Sequence, residues 1–81
     1  MNKNVTVRYF AMFRERAGVS AEAVATDAAT AEQLFRQLQD RHGSAEPLGH
    51  CKVAINDEMV QWDSSIADGD VILLFPPVAG G

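Results

Sequence analysis

An α+β fold is what this sequence predicts, with a mixed sheet curled around one main helix and an extended C-terminal tail. Three observations point to it. One long amphipathic pattern occupies the middle of the chain, strand-like patterns flank it on both sides, and the last of these, Val71-Ile72-Leu73-Leu74-Phe75, is apolar at every position.

Taken in order, Val5, Val7 and Tyr9 alternate with Thr6, Arg8 and Phe10, which is the period of a strand. Phe13 to Ala17 reads as a short helical turn stopped by Gly18, and residues 21–26 as a returning strand. Thr30-Ala31-Glu32-Gln33 has the spacing of a capping box, so the main helix begins there. Ala31, Leu34, Phe35 and Leu38 recur at i, i+3, i+4 and i+7 as its apolar stripe, Glu32 and Arg36 pair on its wet side, and Gly43 ends it. A loop with Pro47 and Gly49 leads to a strand at residues 52–55, the turn Asn56-Asp57, and a short strand over 58–62. Asp68-Gly69-Asp70 turns the chain into the last strand. A strand without polar alternation is usually central and covered on both faces, so this one belongs mid-sheet with the N-terminal strand beside it. The economical arrangement is a ubiquitin-like β-grasp domain over residues 1–75, followed by a flexible tail over 76–81.

Size and composition narrow the function. The chain has 81 residues, and a domain of that size buries roughly 60–65% of its unfolded-chain surface, too little to enclose a deep active site of its own. Net charge is −4 and the seven basic residues are scattered, which argues against nucleic acid and against an anionic membrane surface. A single cysteine excludes an internal disulfide and argues against a zinc or iron–sulfur site. The N-terminus lacks a signal-peptide pattern and no stretch approaches the ~20 apolar residues of a membrane span, so a cytoplasmic protein is expected.

The tail reads Pro76-Pro77-Val78-Ala79-Gly80-Gly81, with no charged side chain after Asp70. The prolines end the strand and stiffen the residues beyond it. Fully extended, residues 76–81 reach on the order of 20 Å. Without Cβ atoms, Gly80 and Gly81 let a thin backbone enter a narrow channel. The terminal carboxylate, with a pKa of about 3.3–3.7, is an unreactive anion at neutral pH until something activates it, for example as an acyl-adenylate. ATP and a second enzyme are therefore expected.

This ending, with Asp68-Gly69-Asp70 before it, closely resembles that of the small, sulfur-carrying subunits of molybdopterin synthase, in the MoaD/ThiS group of ubiquitin-like sulfur carriers. The similarity extends to Tyr9-Phe10-Ala11 and Arg14-Glu15 and to length and element order. The resemblance implies that the chain is not catalytic alone. An adenylyltransferase related to ubiquitin-activating enzymes uses ATP to join AMP to Gly81, and a sulfur donor protein displaces AMP to leave a thiocarboxylate. The tail, Pro76, Pro77, Val78, Ala79 and Gly80 with Gly81, then enters the large subunit's active site and supplies dithiolene sulfur, in a heterotetramer of two large and two small subunits. No metal and no stably bound cofactor are implied. Matching family positions place Phe75, Phe10 and Met59 at the partner interface, although from pattern alone Phe10 and Met59 fit core packing equally.

The resemblance leaves three alternatives: a carrier for thiamine or another thiolated product, a ubiquitin-like modifier joined to target lysines through Gly81, and a plain interaction module. Cys51 reads as a small buried hydrophobe rather than a sulfur-transfer thiol, His42 and His50 as isolated structural residues, Trp62 as secondary core, and Asp57, Glu58, Asp63, Asp68 and Asp70 as turn and solubility residues.

Overall fold

The computed structural model describes residues 2–43 and 46–76. Its elements run β1 (Lys3–Tyr9), α1 (Met12–Ala17), β2 (Ala21–Thr26), α2 (Ala31–His42), a 3-10 turn (Leu48–His50), β3 (Lys52–Ile55), β4 (Glu58–Val60) and β5 (Val71–Phe75). The five strands form one sheet in the order β2-β1-β5-β3-β4, with β1 parallel to β5 and the other neighbours antiparallel. The all-apolar last strand is central and the first strand lies beside it, as expected.

Burial follows the alternation. Val5, Val7 and Tyr9 of β1, Val24 of β2, Val53 of β3 and Ile72 and Leu74 of β5 face one way and pack with Ala31, Leu34, Phe35 and Leu38 of α2 and Phe13 of α1. Phe35 anchors this core, its ring 5.7 Å from that of Phe13 in an edge contact and 4.9 Å from that of Trp62. Trp62 is thus core-packed, and its indole N–H donates to the Cys51 carbonyl at 3.3 Å. Both helices contribute to this one core. The opposite face of β5 carries no helix among the described residues, yet Leu73 on that face is only 8% exposed, so the middle of the central strand is covered on both sides, as expected.

The start of α2 differs from a simple capping box. The Thr30 hydroxyl accepts from the Gln33 N–H at 3.3 Å, but the Gln33 side chain accepts from the Ala29 N–H at 2.8 Å, one residue ahead of the cap. Two further helix donors are met by a distant segment: Ala31 N–H donates to the Ser64 carbonyl at 3.0 Å and Glu32 N–H to the Trp62 carbonyl at 2.9 Å. That segment has left the sheet to cap the helix, which is why β4 stops at Val60 instead of running to residue 62. The other boundaries are met as the residue chemistry dictates. Gly18, Gly43 and Gly69 take φ of 79°, 68° and 88°, and Asn56 and Asp57 take 53° and 69° in the two-residue turn joining β3 to β4.

One half-buried polar cluster ties α2 to the sheet edge. The Tyr9 hydroxyl donates to Glu22 Oε2 at 3.0 Å, His42 Nε2 lies 3.1 Å from the same oxygen, and Arg41 pairs with Glu22 Oε1 at 3.1 Å. Burial, then the hydrogen bond to Glu22 and its negative charge, raise the Tyr9 pKa well above its ordinary value of 10.0. With the folded value the higher one, Tyr9 contributes stability in full below pH 10 and loses it as the pH rises past the unfolded value. Tyr9→Phe is expected to cost about 1 kcal/mol at neutral pH, because it removes a hydrogen bond to a charged acceptor. It should also flatten the alkaline fall in stability, and urea titrations from pH 8 to 11 that show the same slope for both proteins would refute the assignment.

Candidate functional site

The tail begins where β5 ends. Phe75 closes the strand, pairs with Lys52 across β3, and is half-buried, as is Pro76. Proline cannot donate to a ladder, so the pairing stops there. Pro77, Val78, Ala79, Gly80 and Gly81 lie outside the described residues.

Beside the root of the tail, the Phe10 ring stacks on Phe75 with centroids 4.8 Å apart and planes 15° from parallel. Parallel pairing of β1 with β5 brings the two residues together, since Tyr9 is opposite Leu74 and each chain runs on by one residue. Phe10 is half-buried and does not join the main core. The next residue, Ala11, takes φ 51° and ψ −124° as the chain turns into α1. That region is costly for a residue with a Cβ, roughly 1–3 kcal/mol, so local strain sits beside the aromatic pair.

The helix-free face extends from this pair across the sheet. Leu73 lies opposite Arg8 on one side and Ala54 on the other, and Ala54 lies opposite Met59. Met59 is 58% exposed, one of the largest apolar side chains left to solvent. Core packing is therefore excluded for Met59, and Phe10, Phe75 and Met59 line one helix-free face, on which Leu73 and Ala54 are themselves buried. Sequence reasoning misses Leu73 and Ala54 as members of this face, although the unbroken apolar run of β5 is a signal that something covers both of its sides.

The described residues hold no catalytic constellation. A depression between α1, α2 and β5, lined by Phe13, Leu38 and His42, and another beside β4, lined by Lys52, Met59 and Trp62, bring no nucleophile to a base. Among the described residues no group of three or more His, Cys, Asp or Glu is placed to hold a metal. Cys51 is buried in the core with its Sγ 3.4 Å from the Pro47 carbonyl, and burial followed by the nearby Glu46 charge raises its thiol pKa. A protonated, enclosed thiol is a poor nucleophile. Asp68 accepts from the Asn4 N–H at 2.6 Å, and Asp70 accepts from the Ala67 N–H and the Asn56 amide, so both acids organise turns. No helix among the described residues is long and apolar enough to cross a membrane.

The central strand thus ends beside a helix-free face carrying exposed apolar side chains, and the described residues bring no nucleophile to a base. The model of the ThiS family matches residues 7–81. This chain belongs to the ThiS family. A relative, the molybdopterin synthase sulfur carrier subunit of Escherichia coli, is 38% identical over 80 residues that cover 95% of this chain and 99% of the relative. Among solved structures, the complex of subunits 1 and 2 of the molybdopterin-converting factor from Helicobacter pylori contains a chain with TM-score 0.62 and 37% identity, covering 96% of this chain and 99% of that one. The small archaeal modifier protein 1 of Haloferax volcanii aligns with TM-score 0.79 and 26% identity, covering 94% of this chain and 99% of its own. The ubiquitin-like β-grasp is common to them.

Proposed function

We infer that this chain is the sulfur-carrier subunit of a molybdopterin synthase. The observation that carries the reading is the near full-length match to a relative of that name, in a chain whose sequence after the central strand reads Pro-Pro-Val-Ala-Gly-Gly. The reading places it in the cytoplasm and assigns it no chemistry without partners. An adenylyltransferase uses ATP to convert the Gly81 carboxylate into an acyl-adenylate, whose AMP is a far better leaving group than oxide. Sulfide released by a donor protein attacks the carbonyl carbon, the bond to AMP breaks with its electron pair on the phosphate oxygen, and a thiocarboxylate remains. The open face carrying Phe10, Phe75 and Met59 then seats on the large subunit, in a heterotetramer of two large and two small chains. Docking directs the tail from Pro76 to Gly81 into that subunit's active site, where the sulfur passes to the pterin precursor.

A second reading, covalent modification of target lysines through Gly81, draws support from the fold shared with the archaeal modifier. Both readings start from the same adenylate and differ in the nucleophile that attacks it. Incubation with ATP, a sulfide source and the adenylyltransferase, followed by intact-mass measurement, is expected to exchange one oxygen for sulfur. Cys51→Ala should give the same exchange, because that thiol is enclosed. A wild-type mass unchanged under these conditions, together with lysine conjugates recovered from cells, would favour the modifier.

A further inference from the structure

The open face of the sheet sorts its charges by sign. Five strand residues are charged. Lys3, Glu22 and Glu58 alternate to the helix side, where Lys3 donates to the Ala28 carbonyl at 2.8 Å and Glu22 holds Tyr9, Arg41 and His42. Arg8 and Lys52 alternate to the open side, both exposed, and neither makes an ion pair among the described residues. No strand position on that side is acidic among the described residues, in a chain of net charge −4 with eleven acidic residues. The outward residues of β2, Ala21, Ala23 and Ala25, add only low relief.

The two cations flank the central strand. Arg8 lies opposite Leu73 from β1, and Lys52 lies opposite Phe75 from β3. With neighbouring strands about 4.8 Å apart and two residues of offset along β5, the two backbone positions are separated by roughly 12 Å. Buried Leu73 and half-buried Phe75 lie diagonally between them, and of the two Phe75 offers the apolar surface.

We propose that Arg8 and Lys52 select the docking partner, and that the large subunit presents a carboxylate to each of them on either side of its apolar contact with Phe75 and the Phe10 ring stacked on it. The inference rests on the carrier reading and adds the charge pattern that its partner must have. A partner that covers this face without carboxylates strands a guanidinium and an ammonium away from water, so the wrong surface is rejected by desolvation rather than by shape. Two cations on an acidic chain are too few for a phosphate backbone or an anionic bilayer, whereas apolar side chains between paired charges suit a protein surface.

The test measures binding of the large subunit from the same cell by calorimetry, and its association rate by stopped flow at low and high salt. The proteins compared are the wild type, the neutral pair Arg8→Gln with Lys52→Gln, and the reversed pair Arg8→Glu with Lys52→Glu. Thermal melts of all three should coincide, since both positions are exposed. The neutral pair is expected to bind roughly tenfold more weakly and the reversed pair roughly a hundredfold, with the wild-type association rate falling at high salt and the neutral pair's hardly changing. A reversed pair that binds within twofold of wild type, with the same salt dependence, overturns the proposal and leaves the carrier reading standing. A wild-type chain that does not bind the large subunit at all overturns both.

Discussion

Removal of Gly81 is expected to abolish thiocarboxylate formation, with a fall of at least about a hundredfold in the adenylation rate, while the folded domain is unchanged. The chemistry acts on one carbon atom, the terminal carbonyl. Deleting one residue withdraws that atom by about 3.5 Å along an extended arm, and displacements of only ~1 Å in a catalytic geometry cost on the order of a hundredfold. Shifting the whole arm deeper to compensate would drive Ala79, with its Cβ, into space shaped for glycine. Stability should not fall with it, because every core residue among the described ones lies at or before Leu74. Pyrophosphate exchange with the adenylyltransferase reads the first effect and urea unfolding the second. Exchange within a few fold of wild type would remove Gly81 from the reacting position, and a lower unfolding midpoint would show that the tail supports the fold. A plain interaction module also predicts no loss of function from this deletion, so the same measurement excludes it.

Phe35→Ala is expected to have the largest effect on stability. Phe35 is 2% exposed and touches aromatic rings from two other parts of the chain, Phe13 in α1 and Trp62 after β4. Truncating a buried phenylalanine costs about 3–5 kcal/mol in transfer and cavity terms. At the usual 0.05–0.15 kcal/mol per residue, a chain of this length has roughly 4–12 kcal/mol in total, so the variant sits at or near the edge of folding. With a urea m-value near 1 kcal/mol/M for a small domain, the midpoint should fall by about 3 M. Met59→Ala is the matched control. Its exposed side chain predicts a change within about 0.5 kcal/mol. A Phe35→Ala midpoint within about 1 M of wild type would contradict the packing described for α2.

The core around α2 sets stability and leaves the face across the sheet free of helices, and in the carrier reading the residues after Phe75 carry the chemistry. Met59 belongs to neither and is available for docking, which explains why so large an apolar side chain is tolerated in solvent.

Local chemistry made most of the elements legible. The 3.6-residue recurrence of Ala31, Leu34, Phe35 and Leu38 places α2, and Gly43 ends it in the left-handed conformation that glycine adopts freely. Alternation places β1, and the uninterrupted apolar run of β5 places it at the centre of the sheet. These signals are strong because each is set by neighbours a few residues away. The end of β4 was not legible. Its position is decided by the unpaired N–H groups of Ala31 and Glu32, which draw the carbonyls of Trp62 and Ser64 out of the sheet from about thirty residues along the chain.

The same division holds for the site. By itself the sequence carries the expectation of a stiff, slim arm whose carboxylate needs activation, because proline, glycine and a terminal carboxyl have those properties wherever they occur. It left Phe10 and Met59 divided between core and surface, since alternation says that two faces exist and not which one a helix will cover. Only the tertiary structure decided that. Packing both helices on the side of Val7, Ile72 and Leu74 left Phe10, Phe75 and Met59 on the other side, and parallel pairing of β1 with β5 stacked Phe10 on Phe75 at the root of the arm. It also placed Arg8 and Lys52, forty-four residues apart in the chain, on either side of one strand, a juxtaposition set by long-range pairing that no local pattern contains.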